Sequence, residues 1–128
     1  PKGEAGVVPI FYERMRMGKQ PTIFGNGSKT RDYVHVEDVA RANVLALAKG
    51  RNEIVNIGTG KAITDREVFD AVAHHTGFKG LPRYAPVREG EVRHIRLSAT
   101  RAQKILGWKP KVTFPEGIQR TLSTPRAR

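Results

Sequence analysis

Arg31, Arg88, Glu91 and Asn56 are the side chains whose type and setting could do chemistry. Arg31 enters an alternating stretch just after a Gly25-Asn26-Gly27 turn. A planar guanidinium there can grip phosphate oxygens with two parallel N–H donors, which a lysine cannot do. The adjacent Asp32 either orients that fork or neutralises it as a structural ion pair. Further on, Pro86-Val87-Arg88-Glu89-Gly90-Glu91-Val92-Arg93 sets two arginines around a glycine bend with a carboxylate beside it. By residue type alone this is a solvated charge cluster, or a loop in which Arg88 binds a phosphate and Glu91 accepts hydrogen bonds from a ribose diol. Asn56 precedes Gly58-Thr59-Gly60, and a buried Asn needs partners. It either satisfies the turn backbone or touches a ligand. Tyr12, Tyr33 and Tyr84 have no lysine four residues on, and the chain contains no glycine-rich dinucleotide fingerprint.

The elements that must carry these residues follow from periodicity and punctuation. Val7, Ile10, Phe11 and Met15 recur at helical spacing, with Gly18 as a left-handed stop. Pro21 to Phe24 and Tyr33 to Val36 predict short strands. Asp38 predicts an N-cap for a helix from Val39 to Lys49, closed by Gly50. That helix is apolar on more than one face (Val39, Ala40, Ala42, Val44, Leu45, Ala46, Leu47 and Ala48) and needs cover on several sides. Ile54 to Ile57 predicts a buried strand. Thr64 with Glu67 reads as a capping box for a helix through His75, ended by Gly77. Tyr84-Ala85-Pro86 is extended, because a residue before proline avoids the helical region. Ser98 predicts the cap of a helix carrying Ala102, Ile105 and Leu106. Thr113 with Glu116 predicts a second capping box for a last helix with Ile118 and Leu122. Short strands separated by helices indicate an α/β chain with few strands of its own.

The run Gly25-x-Gly27-x-x-x-Arg31-Asp32-Tyr33-Val34-His35-Val36-x-Asp38-Val39-Ala40 resembles the C-terminal half of the extended short-chain dehydrogenase/reductase family, the nucleotide-sugar epimerases and dehydratases. The resemblance covers about Gly3 to Leu122. It includes Asn56-Ile57-Gly58, Arg88 to Glu91, and Leu106-Gly107-Trp108-Lys109-Pro110 followed by Phe114 and Glu116-Gly117-Ile118. Val55 departs from the family's aromatic at its place, and Ser98-Ala99-Thr100-Arg101-Ala102 lacks the family's acid. The opening Gly3 to Phe11 is similar to the UDP-glucose 4-epimerase-like branch. The resemblance implies the substrate-binding portion of a Rossmann-type fold with the N-terminal Rossmann half absent. Residues 1–122 would form the nucleotide-sugar-binding domain and 123–128 a flexible basic tail. It implies that Arg31 contacts the diphosphate of a UDP-sugar, that Arg88 and Glu91 hold phosphate and ribose, that Asn56 reaches the ligand, and that Trp108 packs. In this family NAD oxidises a sugar hydroxyl and returns the hydride to the other face, assisted by a tyrosine, lysine and serine/threonine set. None of that set lies here. The chain is therefore expected to bind no cofactor alone and to be inactive alone, with NAD in the intact enzyme. Its partners are expected to be a UDP-sugar and either the missing half or a second copy. A 4,6-dehydratase or reductase shares the same arginines and is the nearest alternative.

Composition bounds the rest. The net charge of +11 is uneven, with 11 basic and 9 acidic residues up to Phe78 and 12 basic and 3 acidic from Lys79 onward. A basic half attracts phosphate in any form, so a nucleic-acid-binding or plain interaction module is the non-enzymatic alternative. No nucleic-acid motif accompanies the charge, and an aromatic content of 7% offers few stacking platforms. There is no basic-then-apolar leader and no apolar run of the roughly 18 residues a membrane span needs. Zero cysteines exclude disulfides and thiolate metal sites and agree with a cytoplasmic setting. His74 and His75 are adjacent and do not share a helix face, so no metal pair is expected there.

Overall fold

Phe11 and Met15, one helical turn apart, put the same face of helix α1 (Val7–Arg16) into the larger of two cores. The computed structural model describes residues 6–123. Against α1 lies helix α3 (Asp65–Thr76), which contributes Val68, Phe69 and Val72. The rings of Phe11 and Phe69 meet edge to face with centroids 6.0 Å apart. Ile23 of strand β1 (Thr22–Phe24) and Ile118 of helix α5 (Phe114–Ser123) complete this core. Each such side chain contributes roughly 1.5–3 kcal/mol on full burial. A smaller core joins helix α2 (Val36–Ala46) to helix α4 (Thr100–Leu106) through Ala42, Ala102, Leu106 and Trp108.

The strands are short and paired in twos. β1 runs parallel to β4 (Arg83–Ala85), Thr22 opposite Arg83 and Phe24 opposite Ala85. β2 (Thr30–Arg31) runs antiparallel to β3 (Ile63–Thr64), Thr30 opposite Thr64. The expected α/β class is thus observed, with few strands and several helices.

The capping box of α3 forms as predicted. The Thr64 hydroxyl accepts from the Glu67 N–H at 3.1 Å, and the Glu67 carboxylate accepts from the Thr64 N–H at 2.7 Å. Gly77, at φ 73°, closes that helix in the left-handed conformation.

Five local expectations are corrected. α2 starts at Val36, not Val39, because the His35 ring accepts from the Glu37 N–H and makes His35 the N-cap. It also ends at Ala46, short of Gly50. Tyr33 to Val36 and Ile54 to Ile57 are not strands, since no backbone ladder reaches them among the described residues, and Ile54 is exposed. Ser98 does not cap α4; Ala99 holds that position, and the Ser98 hydroxyl pairs with that of Thr100 at 3.1 Å. Glu116 directs its carboxylate to Arg120 at 2.5 Å rather than into a box with Thr113. The predicted tail 123–128 lies outside the described residues apart from Ser123, which ends α5.

Asp38 sits in the first turn of α2, buried, where it works as a clamp. Its Oδ2 accepts from the N–H groups of Lys111 at 2.9 Å and Val112 at 3.0 Å, and its Oδ1 accepts from Arg41. The Asp38 carbonyl accepts from Trp108 Nε1 at 2.8 Å. Burial pushes the Asp38 carboxyl up, but the Val112, Arg41 and Lys111 donors outweigh it and hold it below its ordinary value.

Candidate functional site

Strand β2 and the loop after β4 lie side by side because the loop is laced to the strand through its backbone. The Thr30 N–H donates to the Arg93 carbonyl at 2.9 Å, and the Ile95 N–H donates to the Thr30 carbonyl at 3.1 Å. One step earlier, the Gly25 N–H donates to the Ala85 carbonyl at 2.8 Å. This lacing brings Arg88 and Glu91 to the strand that carries Arg31.

Arg31 is half-buried; its Nη1 donates to the Thr30 carbonyl at 2.8 Å and points toward the Arg93 carbonyl at 3.5 Å. Both acceptors are neutral carbonyls. Arg88 is exposed and lies flat over the Phe24 ring, its guanidinium carbon 3.8 Å from the centroid. Glu91 accepts from Lys29 Nζ at 2.5 Å through Oε1. Its Oε2 is buried with no hydrogen-bond partner. The Lys29 hydrogen bond holds Glu91 below the usual carboxylate range against its desolvation, and the charges of Lys29, Arg31 and Arg88 act in the same direction. Three cations therefore surround one carboxylate, whose second oxygen is buried and unpaired. Tyr33, beside the cluster, is pushed up to about 12 by burial and the Asp65 charge, with Arg31 opposing.

Asp32 does neither of the jobs its neighbour suggests. It turns away and ties down the Gly58-Thr59-Gly60 turn: Oδ1 accepts from the Thr59 N–H at 2.8 Å and the Thr59 hydroxyl at 2.6 Å, and Oδ2 accepts from the Gly60 N–H at 2.9 Å and the Leu97 N–H at 3.2 Å. Burial raises the Asp32 carboxyl, and these four donors more than reverse that, so it sits below its ordinary value. The turn backbone is thereby satisfied by Asp32 and not by Asn56. Asn56 itself is exposed on the segment before the turn.

Lys29 and Asp65 belong to the site, and neither stood out in the sequence. The available signal was alternation: Lys29 is two residues before Arg31, hence on the same side of an extended strand. Asp65 follows the Thr64 cap in the first turn of α3. A cleft of about 710 Å³ lies elsewhere, between the Thr59-Gly60 turn and α4, and is lined by Arg96, Ser98, Gln103 and Trp108 among others. It is open and contains none of Arg31, Arg88 or Glu91. Convergent charge and an unsatisfied oxygen identify the candidate site better than volume does.

The glycine turns were tested as dinucleotide cradles and do not fit. Gly25-Asn26-Gly27 leads into strand β2 rather than a helix. A Cβ on Gly27 would meet the Arg66 side chain at 3.4 Å, and one on Gly58 would meet Leu97 Cβ at 2.8 Å and Asp32 Oδ2 at 3.0 Å. The space is filled by the chain's own atoms, not held open for a phosphate. Among the described residues no group of three or more His, Asp or Glu side chains could hold a metal ion, and no helix is long and apolar enough to cross a membrane.

Comparison with known proteins shows the family of the chain. A family model described as GDP-mannose 4,6 dehydratase matches residues 4–121. The UDP-glucose 4-epimerase of Mycolicibacterium smegmatis is 46% identical over 123 residues, which are 95% of this chain and 39% of that one. The crystal structure of a UDP-glucose 4-epimerase from Thermotoga maritima with UDP-glucose superposes with a TM-score of 0.90 at 50% identity, over 95% of this chain and 40% of the other. A Thermus thermophilus UDP-glucose 4-epimerase in complex with NAD gives a TM-score of 0.79 at 44% identity, over 93% of this chain and 39% of the other. The chain belongs to the extended short-chain dehydrogenase/reductase family of nucleotide-sugar epimerases and dehydratases. It corresponds to the C-terminal part of these relatives and spans about 40% of their length.

Proposed function

We propose that this chain is the nucleotide-binding portion of a UDP-glucose 4-epimerase-like enzyme, gripping the diphosphate with Arg31 and Arg88 and the ribose diol with Glu91. The observation that supports this reading is the convergence of Arg31 and Arg88 on the Glu91 carboxylate, whose Oε2 is buried without a hydrogen-bond partner. Each group has the right complement. Guanidinium forks match phosphate oxygens, and an ionised carboxylate matches a hydroxyl donor. Asn56 would approach the ligand from the separate segment before the glycine turn. The residues that bind NAD and carry out the reaction belong to the half of the enzyme outside this chain, which alone binds but does not turn over. That half also covers the exposed apolar side of α2. The enzyme works in the cytoplasm, in keeping with a cysteine-free chain.

Titration of UDP into the 128-residue chain tests the reading. Arginine–phosphate contacts contribute roughly 1.5–3 kcal/mol each, so Arg31→Ala and Arg88→Ala should each weaken UDP about tenfold or more. Lys111→Ala, on an exposed side chain, should change affinity by less than about twofold. Equal losses in all three would indicate diffuse electrostatics and sink the assignment. Turnover of UDP-glucose by the pure chain with added NAD would overturn its proposed inactivity. Similarity to a GDP-mannose 4,6 dehydratase family model and to a dTDP-glucose 4,6-dehydratase keeps a 4,6-dehydratase as the second reading, which a preference for GDP or dTDP over UDP would favour. Steep salt dependence of DNA or RNA binding, unaffected by UDP, would favour the nucleic-acid alternative.

A further inference from the structure

Strand β1 alternates its faces: Ile23 turns into the larger core, and Phe24 turns to the opposite side, half-buried. The register places Phe24 opposite Ala85, and the loop that leaves Ala85 folds back over β1. Val87 lies so close to the Gly25 backbone that a Cβ there would meet its Cγ2 at 3.1 Å. Arg88 follows, with its guanidinium carbon 3.8 Å from the Phe24 ring centroid. That is well inside the about 6 Å reach of the cation–π attraction, and so short that the group must lie over the ring's face rather than at its edge. Arg88 is exposed, and among the described residues its guanidinium makes no hydrogen bond or ion pair. The loop has a second attachment three residues on, where Glu91 takes the Lys29 ammonium at 2.5 Å; the same ammonium lies 3.2 Å from Asp65 Oδ2 of α3.

We propose that Phe24 is a positioning residue for phosphate recognition: its ring holds one face of the Arg88 guanidinium and leaves the N–H edge open to a ligand phosphate. This rests on the reading of Arg88 as a diphosphate contact, and adds to it the group that orients that contact. The donors of a guanidinium all lie in its plane, so a ring against its face uses none of them. A carboxylate partner would instead occupy two of those donors and neutralise the charge. Without support, an arginine stem samples many rotamers, and binding has to order it. The stack removes part of that cost before the ligand arrives. It also works against repulsion. Lys29 and Arg31 are cations in the same cluster around Glu91, and the electron-rich ring face attracts Arg88 without adding an anion.

The test is a double-mutant cycle read with two ligands. UDP and inorganic pyrophosphate are titrated by calorimetry into the 128-residue chain, its Phe24→Leu and Arg88→Ala variants, and the variant carrying both. Loss of a stack on an exposed side chain should make Phe24→Leu bind both ligands about two- to fivefold more weakly. Phe24→Tyr keeps a ring and should keep the parent affinity. In the Arg88→Ala background, Phe24→Leu should have no further effect, because the group it orients is gone. If Phe24→Leu does not fold, Phe24→Met, whose flexible apolar stem fills irregular gaps, decides in its place. An equal loss in both backgrounds, or none in either, would overturn the proposal. A loss confined to UDP would do the same, because the ring would then be meeting the nucleoside and not Arg88. Unchanged binding of both ligands in Arg88→Ala would instead sink the underlying site assignment, a result distinct from additive losses.

Discussion

Replacing Asp32 by asparagine isolates what the carboxylate beside Arg31 does. Oδ1 serves the Thr59 N–H and hydroxyl, and Oδ2 serves the N–H groups of Gly60 and Leu97. An amide keeps one acceptor oxygen and turns the other into an N–H donor of the same size. The better rotamer keeps oxygen toward Gly60 and Leu97, because the Thr59 hydroxyl can reverse and accept from the new amide. The Thr59 N–H then faces a donor and loses its partner. The surviving bonds also lose their charge assistance, which is worth roughly half their strength. One stranded N–H costs about 1–3 kcal/mol, and partial solvent access keeps the total near the low end of the combined range, about 2–3 kcal/mol. Against a total stability of about 5–15 kcal/mol that is a large fraction.

Urea unfolding followed by circular dichroism should show the midpoint falling by about 1–2 M at neutral pH. The affinity of the folded fraction for UDP should stay within about twofold, since no hydrogen bond joins Asp32 to the Arg31 guanidinium. The pH dependence has a definite sign. Asp32 sits below its ordinary value when folded, so its contribution is complete above the unfolded value of about 3.9 and is lost as pH falls through the lower folded value. The gap between the two proteins should therefore close in acid. Unchanged stability with UDP binding weakened tenfold would refute this account and restore Asp32 as the orienter of Arg31.

Gly58→Ala should destabilise by about 1–3 kcal/mol, since the new methyl meets Leu97 Cβ at 2.8 Å, an atom tied to the backbone; a thermal midpoint equal to the parent's would contradict that. Phe69→Ala removes a ring packed between Phe11 and Phe78 and should cost about 3–5 kcal/mol by urea unfolding, far more than Leu47→Ala on the exposed end of α2. The isolated chain should sediment as a dimer or larger species, or bind an apolar dye, because Val44 is 66%, Leu47 88% and Ile54 87% exposed; a dye-silent monomer would show that these side chains find cover within the chain.

The parts of the fold legible in the sequence were those governed by local chemistry. Thr64, Glu67 and Gly77 specify both ends of α3 within fourteen residues, and the Phe11 and Met15 spacing specifies the buried face of α1. What was not legible depended on partners distant along the chain. Asp38 has the type and place of an N-cap, but the donors that claim it come from Lys111 and Val112, more than seventy residues away. Asp32 looked like the companion of Arg31, and only the approach of residues 59, 60 and 97 gives it another role. Lys29 looked like one more surface cation until α3 and the loop at Glu91 closed around it. Side-chain type restricts what a residue can bond, and the tertiary approach of backbone donors selects among those options.

The two predicted strands that found no ladder make one connected argument with the apolar surface of α2. Tyr33 to Val36 and Ile54 to Ile57 are rich in β-branched and aromatic residues, the composition of strands held inside a sheet. They flank α2 in sequence, and its exposed Val44 and Leu47 lie beyond the reach of the small Trp108 core. A strand needs a neighbour to satisfy its N–H and carbonyl groups, and no ladder reaches either segment among the described residues. The relatives are about two and a half times as long as this chain, which covers 40% of the Thermotoga maritima epimerase. Sheet strands and helix surface supplied by such a partner would cover all three features at once. Adding that partner should therefore do three things together: protect the amides of 33–35 and 54–57 from exchange, quench the apolar dye, and abolish self-association. If the dye signal falls while those amides exchange as before, the partner covers the helix alone, and the two segments are loops despite their composition.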